Sequence, residues 1–356
     1  MSTTTADLGI GLIGCGRVSK LHLDAAAGVS GARLVAAADL SAERAERAAA
    51  PYSAAVCTSA EELVARDDVD LVVVATPSGT HAEVGSLAAR AGRHVLVEKP
   101  VDVDPAAARQ LIATCRERGV TLSVISQHRF DAGSVRLKAA IDAGELDPLV
   151  LAEGRVWWYR GDDYYAADSW RGTRALDGGA LMNQGIHTVD LLRWLLGPVT
   201  SISAEATTAA HRIEMEDTLA AALRFERGTL ATLAVTTAAA PGEAEILTFA
   251  GPKGTFRLES GTLIAAPAGE GLTLVAESAD PEAPKPTAAR GSTDLAATAH
   301  QAQLQDVVDA IKAGRPPAIS GEDGLAAVEL VTAAYRSAEL GQPVAPGEPA
   351  GVGTRG

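Results

Sequence analysis

The sequence predicts a two-domain α/β protein: a parallel sheet covered by helices, then a second α/β domain on an open, mostly antiparallel sheet. Three observations carry this. The chain has 356 residues, which at roughly 150 residues per domain is about two domains. Its first 126 residues alternate short apolar runs with Ala-, Arg- and Glu-rich segments, the pattern of strand–helix–strand units with right-handed crossovers. After about residue 148, strand candidates follow one another with short turns between them, which suits an antiparallel sheet backed by helices.

Leu8–Ile13, Leu34–Ala38, Leu71–Ala75, His94–Val97 and Leu122–Ile125 are short, apolar and bounded by Gly, Asp or Pro, so each reads as a buried strand. Ser41–Ala50 and Ala82–Arg90 between them have helix-forming composition. In the second half the strand candidates are Leu149–Trp158, Ile202–Thr208, Thr218–Phe225, Thr229–Thr237 and Ala244–Ala250; helices are predicted over Gly179–Leu196, Ala296–Ala313 and Gly324–Leu340. Pro252-Lys253-Gly254 predicts a tight turn. Glu277–Ser292, rich in Pro, Ala and charge, predicts a mobile connection, and residues 341–356 a frayed tail. The boundaries that follow are 1–126 for the first domain, 127–340 for the second and 341–356 for the tail.

Hydrophobic residues at 47% and charged residues at 21% exclude a mainly disordered chain and a coiled coil. With 45 acidic against 31 basic residues the net charge is −14, which disfavours nucleic acid and anionic membrane as partners and favours a small molecule. No stretch approaches the ~18 apolar residues of a membrane helix, and MSTTTADLG lacks the features of a signal peptide. Cys15, Cys57 and Cys115 show neither disulfide nor metal-ligand spacing. A cytoplasmic protein without a metal is expected.

The strand LGIGLIG runs directly into Gly14-Cys15-Gly16-Arg17-Val18-Ser19 and then a helical stretch. In a dinucleotide fold the first glycine permits the sharp turn, the second lets backbone approach the pyrophosphate, and a small third residue lets helix and strand pack. Ser19 fills the third position. The helix start offers N–H groups to an anion. Asp39 ends the second strand close to the roughly 20-residue offset at which an acid accepts hydrogen bonds from the adenosine ribose. A carboxylate there repels the 2′-phosphate of NADP, so NAD is expected over NADP, with Ser41 and Arg44 nearby to soften that exclusion.

Two more motifs stand at the carboxyl ends of parallel strands, where ligands bind in open α/β sheets: Thr76-Pro77-Ser78-Gly79-Thr80-His81 and Glu98-Lys99-Pro100. Taken with GLIGCGRVSKLH (11–22), ATPSGTH (75–81), GRHVLVEKP (92–100) and DGGALMNQGIHTVDLLRWLLG (177–197), the chain resembles the glucose–fructose oxidoreductase, inositol dehydrogenase and MocA family of NAD(P)-dependent oxidoreductases over all but its tail. That resemblance implies a Rossmann domain and an open-sheet domain that often forms the oligomer interface, hence a homodimer or homotetramer. The cofactor contacts expected are Gly14, Cys15, Gly16, Arg17, Val18, Asp39, Thr76, Pro77, Ser78, His81, Glu98 and Lys99. The resemblance places Lys99 beside the nicotinamide and the reacting substrate oxygen, and it makes His187 the catalytic histidine. Four residues before it the family commonly has Asp, and this chain has Asn183. The spacing i, i+4 keeps both on one helix face, but a neutral amide does not favour the imidazolium as a carboxylate would, which suits a general base. Asp190 is the expected partner of the ring.

Seven of the nine Trp and Tyr residues fall within 157–194: Trp157, Trp158, Tyr159, Tyr164, Tyr165, Trp170 and Trp194. Trp157 and Trp158 are read as alternating across a strand and Trp194 as core. Tyr164, Tyr165, Trp170 and Arg171 sit in a loop-like segment and are read as substrate contacts, since aromatic faces stack on sugar C–H faces. His128 and Arg129 resemble a family substrate loop. His300 is a further candidate, and His22 is expected to pack in the first helix. The expected reaction is NAD-dependent oxidation of a secondary hydroxyl, C3 by preference, of a pyranoside, sugar nucleotide or cyclitol. His187 is the base, Lys99 polarises the oxygen and Asn183 orients the sugar. The alternatives are an NAD-retaining glycosidase acting by oxidation and elimination, or a dinucleotide-sensing regulator without turnover.

Overall fold

Strand β1 (Leu8–Ile13) is apolar almost throughout because it lies inside a parallel sheet and is buried on both faces. The computed structural model describes residues 7–267, 273–276 and 293–347; the predicted connection Glu277–Ser292 lies outside them. After β1 come α1 (Ser19–Gly28), β2 (Ala32–Ala38), α2 (Ala42–Ala49), β3 (Ala55–Cys57), α3 (Ala60–Val64), β4 (Leu71–Val74), α4 (His81–Arg90), β5 (His94–Val97), α5 (Pro105–Arg118) and β6 (Leu122–Val124). The strands lie in the order β3-β2-β1-β4-β5-β6, all pairings parallel. The strand order reverses at β1 and β4, and that switch point is where an open α/β sheet binds its ligand. The short edge strand β3 is missing from the sequence reading because three residues leave no apolar run to detect.

The second sheet follows α6 (Ala132–Asp142). Its elements are β7 (Leu151–Trp157), α7 (Asp162–Ala166), a π-helical turn at Leu181–Gly185, α8 (Ile186–Leu196), β8 (Val199–Thr207), β9 (Thr218–Phe225), β10 (Leu230–Thr236), β11 (Ile246–Gly251), β12 (Gly254–Glu259), β13 (Thr262–Pro267) and β14 (Thr273–Ala276). The order is β14-β13-β12-β11-β7-β10-β9-β8, antiparallel except for the parallel pair β7 and β10. Along β7, Ala152, Gly154 and Val156 point to the core, while Leu151, Glu153 and Trp157 face outward, the alternation of a sheet covered on one face. The five predicted strands are present with ends shifted by a few residues. Strands β12 to β14 extend the sheet beyond them, and the predicted turn joins β11 to β12.

Two last helices follow, α9 (Thr293–Ala313) and α10 (Gly321–Leu340). The chain divides into Met1–Phe130 with Ser292–Leu325, and Asp131–Gly291 with Ala326–Gly356. Helix α9 returns to the first unit because Leu304, Val307 and Val308 share one core with Ile10, Leu12, Leu23 and Ala25. The predicted tail is also partly fixed: Val344 is buried and exchanges two backbone hydrogen bonds of 2.9 Å with Ile202, while residues 348–356 lie outside the described ones. Trp194 is half-buried beneath the Lys138 ammonium rather than core. Among the described residues no helix is long and apolar enough to cross a membrane.

Candidate active site

The nucleotide loop of the first unit is built as its sequence requires. Gly14 has φ +95°, and a Cβ there would lie 2.4 Å from the carbonyl oxygen of Ala75, so the chain turns against the end of β4 in a way open only to glycine. Nothing lies within 4 Å of where a Cβ of Gly16 would stand, which leaves its backbone open to a pyrophosphate. Helix α1 begins after Val18 without a side-chain cap, so its positive end faces the loop beside Arg17. These features fit a dinucleotide. Cys15 is not a nucleophile: burial, then the Asp39 charge, pushes its thiol up to about 12.

Asp39 ties this loop to the end of β2. Its Oδ2 accepts from the Cys15 backbone N–H at 2.9 Å and its Oδ1 from the Ser41 N–H at 2.8 Å, with Arg44 Nε 3.4 Å away. The carboxylate is thus held against the nucleotide loop, beside a cation that offsets part of its charge. Asp39→Ala is expected to lower the NAD to NADP ratio of kcat/KM by about 10-fold or more, the worth of a bidentate polar contact; an unaltered ratio contradicts the ribose assignment.

The loops after β4 and β5 are joined through His81. Its ring nitrogens meet the carbonyl oxygens of Pro100 at 2.7 Å and Thr76 at 2.8 Å, and it is buried, so it organises the two loops from beneath. Thr80 Oγ1 caps the Thr76-Pro77-Ser78 turn through Thr76 Oγ1 and the Pro77 carbonyl, and Ser78 is itself buried. In Glu98-Lys99-Pro100 the outer two residues are buried and Lys99 is half-buried. Glu98 faces the protein interior: Oε1 meets His22 Nε2 at 2.8 Å and Oε2 accepts the Lys99 backbone N–H at 3.0 Å. Chain spacing gives no metal-ligand pattern, yet the fold brings ligand atoms of His22, Glu98 and His300 within 4.8 Å of one another. His128 is half-buried at the end of β6. Arg129 is buried and paired with Asp323 at 3.1 Å, so its guanidinium anchors the start of α10.

In the second unit the segment 178–192 is buried at every position except Asn183 and His187, which are half-buried. The wide π turn at Leu181–Gly185 carries Asn183 and passes directly into α8, which carries His187; such turns recur at functional sites. Buried Asp177 holds Asn183: Oδ1 accepts the Asn183 amide N–H in a short hydrogen bond, and Oδ2 accepts the Gly172 N–H at 2.6 Å. The charge missing at position 183 therefore stands one side chain behind it. Asp177 opens the segment DGGALMNQGIH, but nothing in its spacing signals this contact.

Glu216 caps this helix and had no sequence signal. Its Oε1 accepts from the Leu181 N–H at 2.8 Å and the Tyr335 hydroxyl at 3.1 Å, and its backbone carbonyl accepts from Ala180. Gly179 has φ +91°, and a Cβ there would come within 2.0 Å of Glu216 Oε2. That oxygen has no hydrogen-bond partner among the described residues. Burial pushes the carboxyl up to about 7 against the hydrogen bonds from Leu181 and Tyr335. A raised carboxyl stabilises the fold fully below its ordinary value of 4.5, and that contribution is lost as pH rises to about 7, on the order of 3 kcal/mol. Glu216→Gln is therefore expected to gain melting temperature relative to wild type as pH rises from 4.5 to 8. A difference that stays constant with pH contradicts this.

The aromatic segment is only partly available to a ligand. Arg171 lies between Tyr164 and Trp170, 4.3 and 4.6 Å from their ring centroids, and pairs with Asp168 at 3.0 Å. Tyr164 Oη accepts from Gln184 at 3.2 Å, and Tyr165 Oη shares a hydrogen bond with Thr237 at 2.8 Å. The predicted loop is thus a short helix and an interlocked stack. A cavity of about 720 Å³ gathers Tyr165 and Arg171 with Thr173, His211, Arg212 and Ile213. It includes neither Tyr164 and Trp170 nor the Asn183 and His187 pair. His211, unremarked in the sequence, is held by Asp217 at 3.0 Å and the Arg160 carbonyl at 2.7 Å.

Comparison with known proteins agrees with both units. A family profile described as oxidoreductase family, NAD-binding Rossmann fold, matches residues 8–126, and the GFO/IDH/MocA C-terminal domain matches residues 134–257. Inositol 2-dehydrogenase of Rhizobium meliloti (strain 1021) is 30% identical over 337 residues, 92% of this chain and 96% of that protein. D-apiose dehydrogenase of Paraburkholderia graminis is 28% identical over 342 residues, 94% of this chain and 88% of that protein. The WlbA dehydrogenase of Bordetella pertussis, solved with NADH and UDP-GlcNAcA, superposes with a TM-score of 0.83 at 34% identity, covering 96% of this chain and all of that one. With two profiles spanning most of its length, this chain belongs to the GFO/IDH/MocA family and is an NAD-binding oxidoreductase.

Proposed function

We propose that the protein oxidises a secondary hydroxyl, at C3 by preference, of a pyranoside, sugar nucleotide or cyclitol, with NAD as hydride acceptor. The observation that carries this reading is the pair Asn183 and His187, the two polar side chains left half-buried in an otherwise buried helical segment. Lys99, the half-buried residue of its motif at the end of β5, supports it, and so do relatives that act on inositol and apiose or bind a UDP-sugar.

NAD, when bound, takes the hydride. His187 removes the hydroxyl proton, Lys99 donates a hydrogen bond to the same oxygen as its charge develops, and Asn183, steadied by Asp177, orients the ring. The outer face of the second sheet supports a homodimer or homotetramer, since Leu151 and Leu230 pair across β7 and β10 and remain 49% and 43% exposed. A panel of pyranosides, cyclitols and UDP-sugars with NAD is expected to yield growing nicotinamide absorbance. No turnover across the panel rejects the reading, and sugar released without net NADH selects an NAD-retaining glycosidase instead.

A further inference from the structure

Glu98, His22 and His300 form a buried cluster that the reaction above does not use. Glu98 directly follows β5, His22 lies on α1 just beyond the nucleotide loop, and His300 lies on α9. Their side chains are 3–5% exposed. Glu98 Oε1 stands 2.8 Å from His22 Nε2 and 3.6 Å from His300 Nε2, and the two rings meet edge to face at 5.4 Å. The other carboxylate oxygen accepts the Lys99 backbone N–H at 3.0 Å. Burial alone would push this carboxyl up, but the adjoining imidazoles, His22 in hydrogen-bond contact and His300 beside it, hold it well below its ordinary value. It is a buried carboxylate with donors on both oxygens.

Helix α9 holds more than this one group. Three residues after His300, Gln303 accepts from the Ser126 N–H at 3.0 Å and donates to the Val124 carbonyl at 2.8 Å. One face of α9 therefore grips the carboxyl ends of both β5 and β6, the edge of the sheet where ligand-bearing loops start. A divalent ion is the competing use of two imidazoles and a carboxylate. The 2.8 Å approach of His22 to Glu98 is a hydrogen-bond separation, and Oε2 is already engaged by Lys99, so the geometry favours shared protons over a shared metal.

We propose that Glu98, His22 and His300 are positioning residues for Lys99: the two imidazoles fix the carboxylate, and the carboxylate fixes the backbone from which the Lys99 amine projects. This rests on the reading of Lys99 as the group that polarises the reacting oxygen. The physical reason for such an anchor is that a misplacement of about 1 Å at a reacting group costs on the order of 100-fold in rate, and a four-carbon side chain holds its amine no better than its own backbone is held.

The test uses the full chain and a substrate found in the panel. Glu98→Gln is expected to lower kcat about 10- to 100-fold, with NAD affinity and substrate KM changing by less than about 3-fold. In a Lys99→Ala background the same substitution is expected to cost almost nothing, since coupled residues are not additive. His22→Leu should lower kcat, and His22→Gln, which restores an N–H donor, should recover much of it. In the absence of cofactor and substrate, amine labelling followed by mass spectrometry should find Lys99 modified about 3-fold faster or more in Glu98→Gln, because the anchor of its backbone is lost, with other lysines unchanged. Additive losses in the double variant, unchanged labelling of Lys99, or a stoichiometric divalent metal in the purified protein would overturn the proposal. Lys99→Ala with full activity removes the role of Lys99 itself; an impaired Lys99→Ala beside a neutral Glu98→Gln removes the anchor alone. Should Glu98→Gln not fold, the two His22 variants and their Lys99 labelling decide the matter.

Discussion

His187→Ala is expected to lower kcat by about 10²–10⁴-fold, the contribution of a positioned general base, while NAD still binds. The expectation follows from where the ring sits. Its helix is capped by Glu216 and flanked by the Asp177–Asn183 contact, and the ring is half-buried among buried neighbours, so truncation opens a polar position without removing core. Melting temperature should change little. Steady-state kcat with a substrate from the panel and NAD affinity by calorimetry check both halves. Unchanged kcat removes His187 from the chemistry.

Lys99→Met is expected to lower kcat by about 10²–10³-fold, the scale of losing one donor to a developing oxyanion. Methionine keeps an apolar stem of similar length, so the loss isolates the ammonium from the packing. Lys99→Arg should not rescue, because a planar guanidinium cannot place its charge at the same point. The loss is expected in kcat more than in KM, since the interaction strengthens only as the oxygen loses its proton. A variant that raises KM alone would reassign Lys99 to substrate binding.

The parts of this protein legible in its sequence are those fixed by local chemistry. A continuous apolar strand followed by Gly14-Cys15-Gly16 has few alternatives, and the structure places β1, the turn against Ala75 and α1 accordingly. Alternation makes β7 readable, and Asn183 and His187 are the two half-buried positions of their segment, although the π turn that carries Asn183 is not legible in the spacing. Contacts between residues far apart in the chain were not legible. Nothing local tells α9 to return to the first unit, so His300 stood as an isolated histidine and His22 as a packing residue until the fold brought both to Glu98. Glu216 likewise gains its role from Gly179 and Tyr335, which lie far from it in sequence. The surroundings of the aromatic segment are likewise not legible, because composition does not tell that the Tyr164 and Trp170 rings lie against Arg171.

Hydride transfer from a substrate carbinol to NAD is tested most directly with a substrate deuterated at the carbon bearing the oxidised hydroxyl, incubated with NAD and the protein, with the nicotinamide product analysed by mass spectrometry. Deuterium on the nicotinamide, with slower turnover than the protiated substrate, is the predicted result. Product formed with no deuterium on the nicotinamide would contradict it.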